Sequence, residues 1–312
     1  MDSLVICLNA IVPIFLIIAA GYAAKRVGIV REAEIPRMNA MAFKCFMPVM
    51  CFYNVYQSDL SASVRPALFV FTFAAILLVF GASLLYAIKC VSVRSRRSVV
   101  VQGLYRSNYL ILGVPFVSGL MGEGDLGVAS VMGALVAPTF NVLAVILLEA
   151  YNGKKPSVKK LAFGIAKNPL ILGSLAGLVC LVLGVVLPAP LETATRDMSR
   201  AASPLLLFLL GAFFHFGDAK EHLRELLAVT LGRLVIIPAV ALSVSVALGF
   251  RGSDLATLLA VFASSTAVAS FTMAEQMGGD AKLAGNIVVV TSAFASFTLF
   301  AWSLLFKLLG LL

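Results

Sequence analysis

The sequence predicts an all-α integral membrane protein: ten transmembrane helices in two inverted five-helix repeats, with helices four and nine broken and crossed. Three observations predict it. First, 61% of the 312 residues are hydrophobic, only 12% are charged, and mean hydropathy is +1.03. Soluble chains are about 45–50% apolar and about 25% charged, and a water-exposed fold could not cover so much apolar surface. Second, the apolar residues fall into ten runs, each near the roughly 20 residues that span a bilayer. Third, the two halves correspond at a near-constant shift.

The runs are 4–24, 38–57, 66–88, 98–121, 126–150, 168–188, 199–216, 226–249, 255–277 and 283–309. The first is preceded by Asp2 and followed by Lys25 and Arg26, an order that predicts an outer N-terminus and not a cleaved leader. With that orientation only Arg65, Arg196, Arg200, Arg251 and Lys307 lie outside. The loops assigned to the inner side carry most of the rest, so the C-terminus is also expected outside. The net charge of +9 is thus explained by topology, and no nucleic-acid partner is expected. The basic segment Lys154–Lys167, between runs five and six, is expected to lie along the inner leaflet against anionic lipid. Cys7, Cys45, Cys51, Cys90 and Cys180 show neither C-x-x-C nor metal-ligand spacing and are read as apolar filler.

A shift of 156 places Pro13 on Pro169, Gly21 on Gly177 and Pro48 on Pro204. A shift of 155 places Phe116–Asp125 on Phe271–Asp280. The repeats are 1–151 and 152–312. Each has an odd number of spans, so the two must enter the membrane in opposite senses. That is an arrangement of secondary transporters, with the substrate held at the midplane by broken helices.

Run four contains Arg106, Asn108, Gly113 and Pro115. The flexible glycine and the proline, which lacks an N–H, predict a break near Gly113–Pro115 that frees carbonyls around Ile111. Run nine has no proline but sets Ser264, Ser265, Thr266 and Ser270 within seven residues, hydroxyls able to satisfy broken backbone. Half-helices starting near Pro115 and Ser270 would point positive N-terminal ends at the midplane, where they suit an anion. Arg106, costly within a span, points to the same ligand. Asn141 and Asn286 suit either helix packing or cavity lining. Glu275 and Gln276, after the second break, are the candidates for ion coupling. Proton and sodium both remain open, and no other cofactor and no metal is expected.

No H-E-x-x-H motif and no central aspartate pair occurs, and His215 and His222 lie at a span end and in a loop, so an intramembrane enzyme is disfavoured. A passive anion channel or a solute receptor is the alternative that composition leaves open.

The stretches NAIVPIFLIIAAGYAAKR, FKCFMPVMCF, YRSNYLILGVPF, APTFNVLAVILLE, KNPLILGSLAGL and SFTMAEQMGGD resemble the auxin efflux carrier family. The likeness is to its short bacterial branch, which includes malate and malonate permeases. It implies a plasma-membrane carrier of small organic anions, mono- or dicarboxylates such as malate or auxin-like carboxylates, with elevator-type alternating access. Helices 1, 2, 6 and 7 would form a scaffold, and helices 3–5 and 8–10 a transport unit. The substrate would lie where helices four and nine cross. Asn108, Gly113 and Pro115 carry over directly. Ser265 stands where the family often has proline, and Ala269 where plant members have asparagine. A homodimer through helices 2 and 7 is a further implication.

Overall fold

A computed structural model describes residues 2–58, 65–121, 126–151, 158–215 and 221–312. All named elements among them are helical. In order they are α1 (Asp2–Arg26), α2 (Ile35–Met41), α3 (Met47–Tyr56), α4 (Pro66–Cys90), α5 (Arg94–Tyr105), α6 (Val114–Met121), α7 (Leu126–Tyr151) and α8 (Val158–Lys167). There follow α9 (Pro169–Val182), α10 (Ala189–Phe213), α11 (Leu223–Leu231), α12 (Ile237–Ala247), α13 (Gly252–Ala263), α14 (Ala269–Gln276) and α15 (Ala281–Leu308). Four continuous stretches among the described residues, Pro66–Cys90, Gly127–Tyr151, Leu223–Ala247 and Ala281–Leu308, are long and apolar enough to cross a membrane. Side chains such as Val70, Leu78, Val182 and Val240 stand exposed, which suits a lipid solvent.

Proline shapes three of these helices in one way. Wide π turns at Ala42–Phe46, Tyr109–Gly113 and Gly232–Ile236 each end two residues before a proline: Pro48, Pro115 and Pro238. Proline cannot donate to the carbonyl four residues back, and its ring crowds that carbonyl. A turn bonded i→i+5 makes room without severing the helix. Pro13 and Pro138 sit inside α1 and α7, and Pro204 inside α10, with no such turn.

Helix starts follow local chemistry. Asn168 accepts from the Leu170 N–H at 3.0 Å ahead of Pro169, and Asp280 accepts from the Leu283 N–H at 3.0 Å. α10 begins at Ala189, well before the predicted residue 199, and its first half carries Glu192, Arg196, Asp197 and Arg200. Of the predicted basic inner segment, residues 154–157 lie outside the described residues. Val158–Lys167 forms α8, where the Lys167 ammonium sits 4.2 Å from the Phe163 ring centre.

Two sets of helices can be distinguished, and they also pack on each other, α1 on α15 and α6 and α3 on α7. In one, α1 packs on α10, and α3 packs on α9 and α10. Glycines bring these backbones together. A Cβ on Gly21 would strike the Phe208 carbonyl, and one on Gly177 would strike the Phe52 carbonyl. Gly211 and Gly173 meet the carbonyls of Ile18 and Pro48 in the same way. In the other group α4 packs on α5, α12 on α13, α13 on α6, α7 and α15, and α14 on α15.

Candidate functional site

The two interruptions meet inside the second group. α5 ends at Tyr105 and helix resumes at Tyr109, so the first break is Arg106–Asn108. α13 ends at Ala263 and α14 starts at Ala269, so the second is Ser264–Val268. The two extended segments pair antiparallel. The Asn108 N–H donates to the Ser265 carbonyl at 2.8 Å, and the Ala267 N–H donates to the Arg106 carbonyl at 3.1 Å, flanking a bridge between Ser107 and Thr266. Backbone groups freed by each break are thereby satisfied by the other, as a low-dielectric interior requires.

The first break therefore lies nearer the N-terminus than the sequence predicts. From Tyr109 to Met121 the helix is continuous, and its π turn absorbs Pro115. Gly113 packs toward Ala260 of α13 and Pro115 is exposed, and neither lines the cavity at the crossing. The second half-helix starts close to the expected Ser270.

Beside the crossing lies a cavity of about 300 Å³, walled by α3, α7, α9, α10 and the two breaks. Of its lining residues, only Gln57 and Arg200 are exposed, so it opens where α3 ends and reaches inward to the crossing. The leading ends of both resumed helices form its floor: Tyr109, Leu110 and Ile111 from one, Ala267, Val268 and Ala269 from the other. Internal bonds begin only at Leu112 and Gly113 in the first and at Ser270 and Phe271 in the second. The amides ahead of them carry the partial positive charge of a helix N-terminus.

Arg106 projects into this cavity and is 3% exposed. Its Nη2 donates to Asn141 Oδ1 at 2.6 Å. Its Nη1 donates to Gln102 Oε1 at 3.3 Å and to Met273 Sδ at 2.7 Å. Asn141 in turn donates to Cys51 Sγ at 3.2 Å. The ion pairs among the described residues involve other basic side chains, and no described carboxylate pairs with this one. Asn108 and Ser107 also line the cavity, and the Asn108 Nδ2 and Ser107 Oγ atoms are buried without a partner. Buried polar atoms are nearly always bonded, and these two are exceptions beside a cation that no described carboxylate neutralises.

The predicted hydroxyls divide. The Ser264 hydroxyl donates to the Ala260 carbonyl, and the Thr266 hydroxyl donates to the Gly103 carbonyl at 2.8 Å. Both serve the break itself, although neither lines the cavity. Ser265 and Ser270 are buried with unpartnered hydroxyls, and neither lines the cavity. Glu275 and Gln276 are away from the cavity. Glu275 Oε2 accepts from Asn39 Nδ2 at 2.5 Å and from Gln276, and the Thr272 hydroxyl donates to Asn39 Oδ1 at 2.9 Å.

Sequence reasoning missed three groups. Cys51 holds the Asn141 amide, and one cysteine in an apolar run carries no signal. Arg200 reaches the cavity mouth because α10 starts early. Arg233 is buried among backbone carbonyls, and its cost inside a span was a usable signal.

The crossing can be tested directly. Residues opposite each other between flanking antiparallel bonds have Cα atoms about 4.5 Å apart, within disulfide range. In a chain otherwise lacking cysteine, Ser107→Cys with Thr266→Cys should cross-link on oxidation. After cleavage between the two positions, the fragments should stay joined until reduced. No cross-link would contradict the pairing.

The sequence profile of the membrane transport protein family matches residues 6–157 and 154–303. The chain is 22% identical over 306 residues to an uncharacterized transporter of Methanothermobacter thermautotrophicus, covering 95% of this chain and 97% of that protein. It is 20% identical over 306 residues to an uncharacterized transporter of Methanocaldococcus jannaschii, with the same coverage. It is 27% identical over 157 residues to a protein of Rhizobium meliloti named as a candidate malonate transporter, 48% of each chain.

Proposed function

Since this chain belongs to the membrane transport protein family, we propose that it is a secondary active carrier of small organic anions, mono- or dicarboxylates of about malonate size. The observation that carries the reading is Arg106: a buried guanidinium with no carboxylate partner among the described residues, in a cavity floored by two helix N-termini and lined by Asn108 and Ser107, whose side chains have unpartnered donors. A carboxylate there would take charge-assisted bonds from Arg106 and directional bonds from Asn108 and Ser107. The cavity is at the small end of the range for ligand pockets.

The same proposal takes the chain as ten crossings in two inverted repeats. Supporting it, Gly21 meets Phe208 while Gly177 meets Phe52, and a shift of 156 interchanges the two contacts. The α1, α3, α9 and α10 group would be the scaffold and the other group the moving unit. With the termini outside, the cavity opens outward. A cavity that opens at Gln57 and Arg200 and stops at the buried crossing favours a carrier over an open pore.

In this reading, the Asn39–Glu275 contact joins α2 of the scaffold to α14 of the moving unit at the inner end, opposite the cavity mouth. Bonds to charged groups contribute about 1.5–3 kcal/mol, so Asn39→Ala should shift the ratio of conformers away from the outward-open one by roughly tenfold or more. The measurement is labelling of a cysteine placed at Ser203, a lining residue, by an impermeant maleimide added outside. Unchanged labelling would separate this contact from gating.

The function itself is tested by uptake of labelled malonate into proteoliposomes, with and without proton or sodium gradients. Saturable, gradient-driven uptake is expected. Flux linear in concentration would indicate a channel, and no uptake across a panel of small carboxylates would overturn the reading.

A further inference from the structure

Arg233, in the π turn between α11 and α12, is the bulkiest fully buried side chain among the described residues, 1% exposed. Its Nε donates to the Ser264 carbonyl at 2.8 Å and its Nη2 to Val261 at 2.8 Å. Its Nη1 donates to Leu104 at 3.2 Å and Tyr105 at 3.4 Å. These four carbonyls are the trailing ends of α5 and α13. Four neighbouring carbonyls have other donors: Gln102 takes the Arg106 N–H, Gly103 the Thr266 hydroxyl, Ala260 the Ser264 hydroxyl, and Arg106 the Ala267 N–H. Arg233 takes four more at the point where two helix C-termini, each carrying about half a negative charge, converge. No carboxylate among the described residues pairs with it. Among the described residues, the side chain that stabilises this point is a cation whose partners are all backbone oxygens.

Converging carbonyls that replace a hydration shell are how proteins hold alkali cations. We infer that Leu104, Tyr105, Val261 and Ser264 form a cation site filled permanently by the Arg233 guanidinium. The crossing then assembles without Na+ or K+, and removing the side chain opens a site for a monovalent metal cation. The consequence for coupling, that sodium is not bound at the crossing during transport, rests on the carrier reading above. The site itself does not. In the register of the repeat, position 233 corresponds to Leu77 or Leu78 of α4, so one arginine serves both helix ends.

The test is thermal unfolding of the purified chain in NaCl, KCl and choline chloride at equal ionic strength, without substrate. The native chain should unfold at one temperature in all three salts. Arg233→Ala should unfold roughly 5 °C or more lower in choline and recover part of the loss, saturably, as Na+ or K+ rises to about 100 mM. Arg233→Lys, which keeps the charge, should stay indifferent to the salt. Stabilisation of the native chain by Na+ over choline would overturn the inference, as would a folded Arg233→Ala that ignores both metals. If Arg233→Ala does not fold, Arg233→Gln, uncharged but still a donor, takes its place in the same series. Malonate uptake that requires sodium would overturn the coupling consequence alone, and absent uptake would fault the carrier reading while the unfolding series still decides the site.

Discussion

Replacing Arg106 by alanine should weaken binding of a small organic anion by roughly 10- to 100-fold, the equivalent of one or two charge-assisted hydrogen bonds. No carboxylate among the described residues neutralises it, so its charge is available to a ligand. Its place in the extended break, with φ −89° and ψ 105°, aims it into the cavity and not along a helix face. Asn141 and Gln102 hold the guanidinium from two directions, which fixes its plane. Arg106→Lys should recover only part of the affinity, because an ammonium is a point charge without the fork that matches a carboxylate. Equilibrium dialysis with labelled malonate measures this on protein whose unfolding temperature is checked in parallel. Equal affinities for the native chain and a folded Arg106→Ala would remove Arg106 from the site.

The largest stability effects should come from the close-packed glycines. Gly21→Val and Gly177→Val each drive a side chain into a backbone carbonyl, which cannot swing aside as a side chain can. Overpacking costs about 1–3 kcal/mol and sometimes more, so both variants should unfold several degrees early or fail to accumulate. Because a shift of 156 exchanges the two contacts, their penalties should be alike. Gly81→Ala is the control: an added Cβ there meets nothing within 4 Å, and alanine is the better helix former. A tolerated Gly177→Val beside a disabling Gly21→Val would break the equivalence of the halves.

Much of this architecture is local information, and so it was legible. Desolvation makes each apolar run declare itself, and it makes Arg106 conspicuous inside one. The pairing of Gly21 with Gly177 was visible as a shift, though not that each sits under a phenylalanine carbonyl of the opposite half. The position of the first break was not legible. Gly113 and Pro115 look like the interruption, yet a π turn accommodates the proline. The chain actually opens at Arg106–Asn108 because Ser265 and Ala267, more than 150 residues away, offer it backbone partners. That Arg200 reaches the cavity mouth was not legible, because α10 begins at Ala189, in a stretch too charged to read as a span. Arg233 shows the same limit. Its cost is visible in the sequence, but the two helix ends that justify it are brought together only by the fold.

The central claim is that an anion is held where the two broken helices cross. It is tested most directly by malonate uptake into proteoliposomes carrying Arg106→Ala together with Asn108→Ala, the unfolding temperature confirming that the double variant is folded. Uptake reduced to the level of empty vesicles is the expected result, and uptake at the native rate would contradict it.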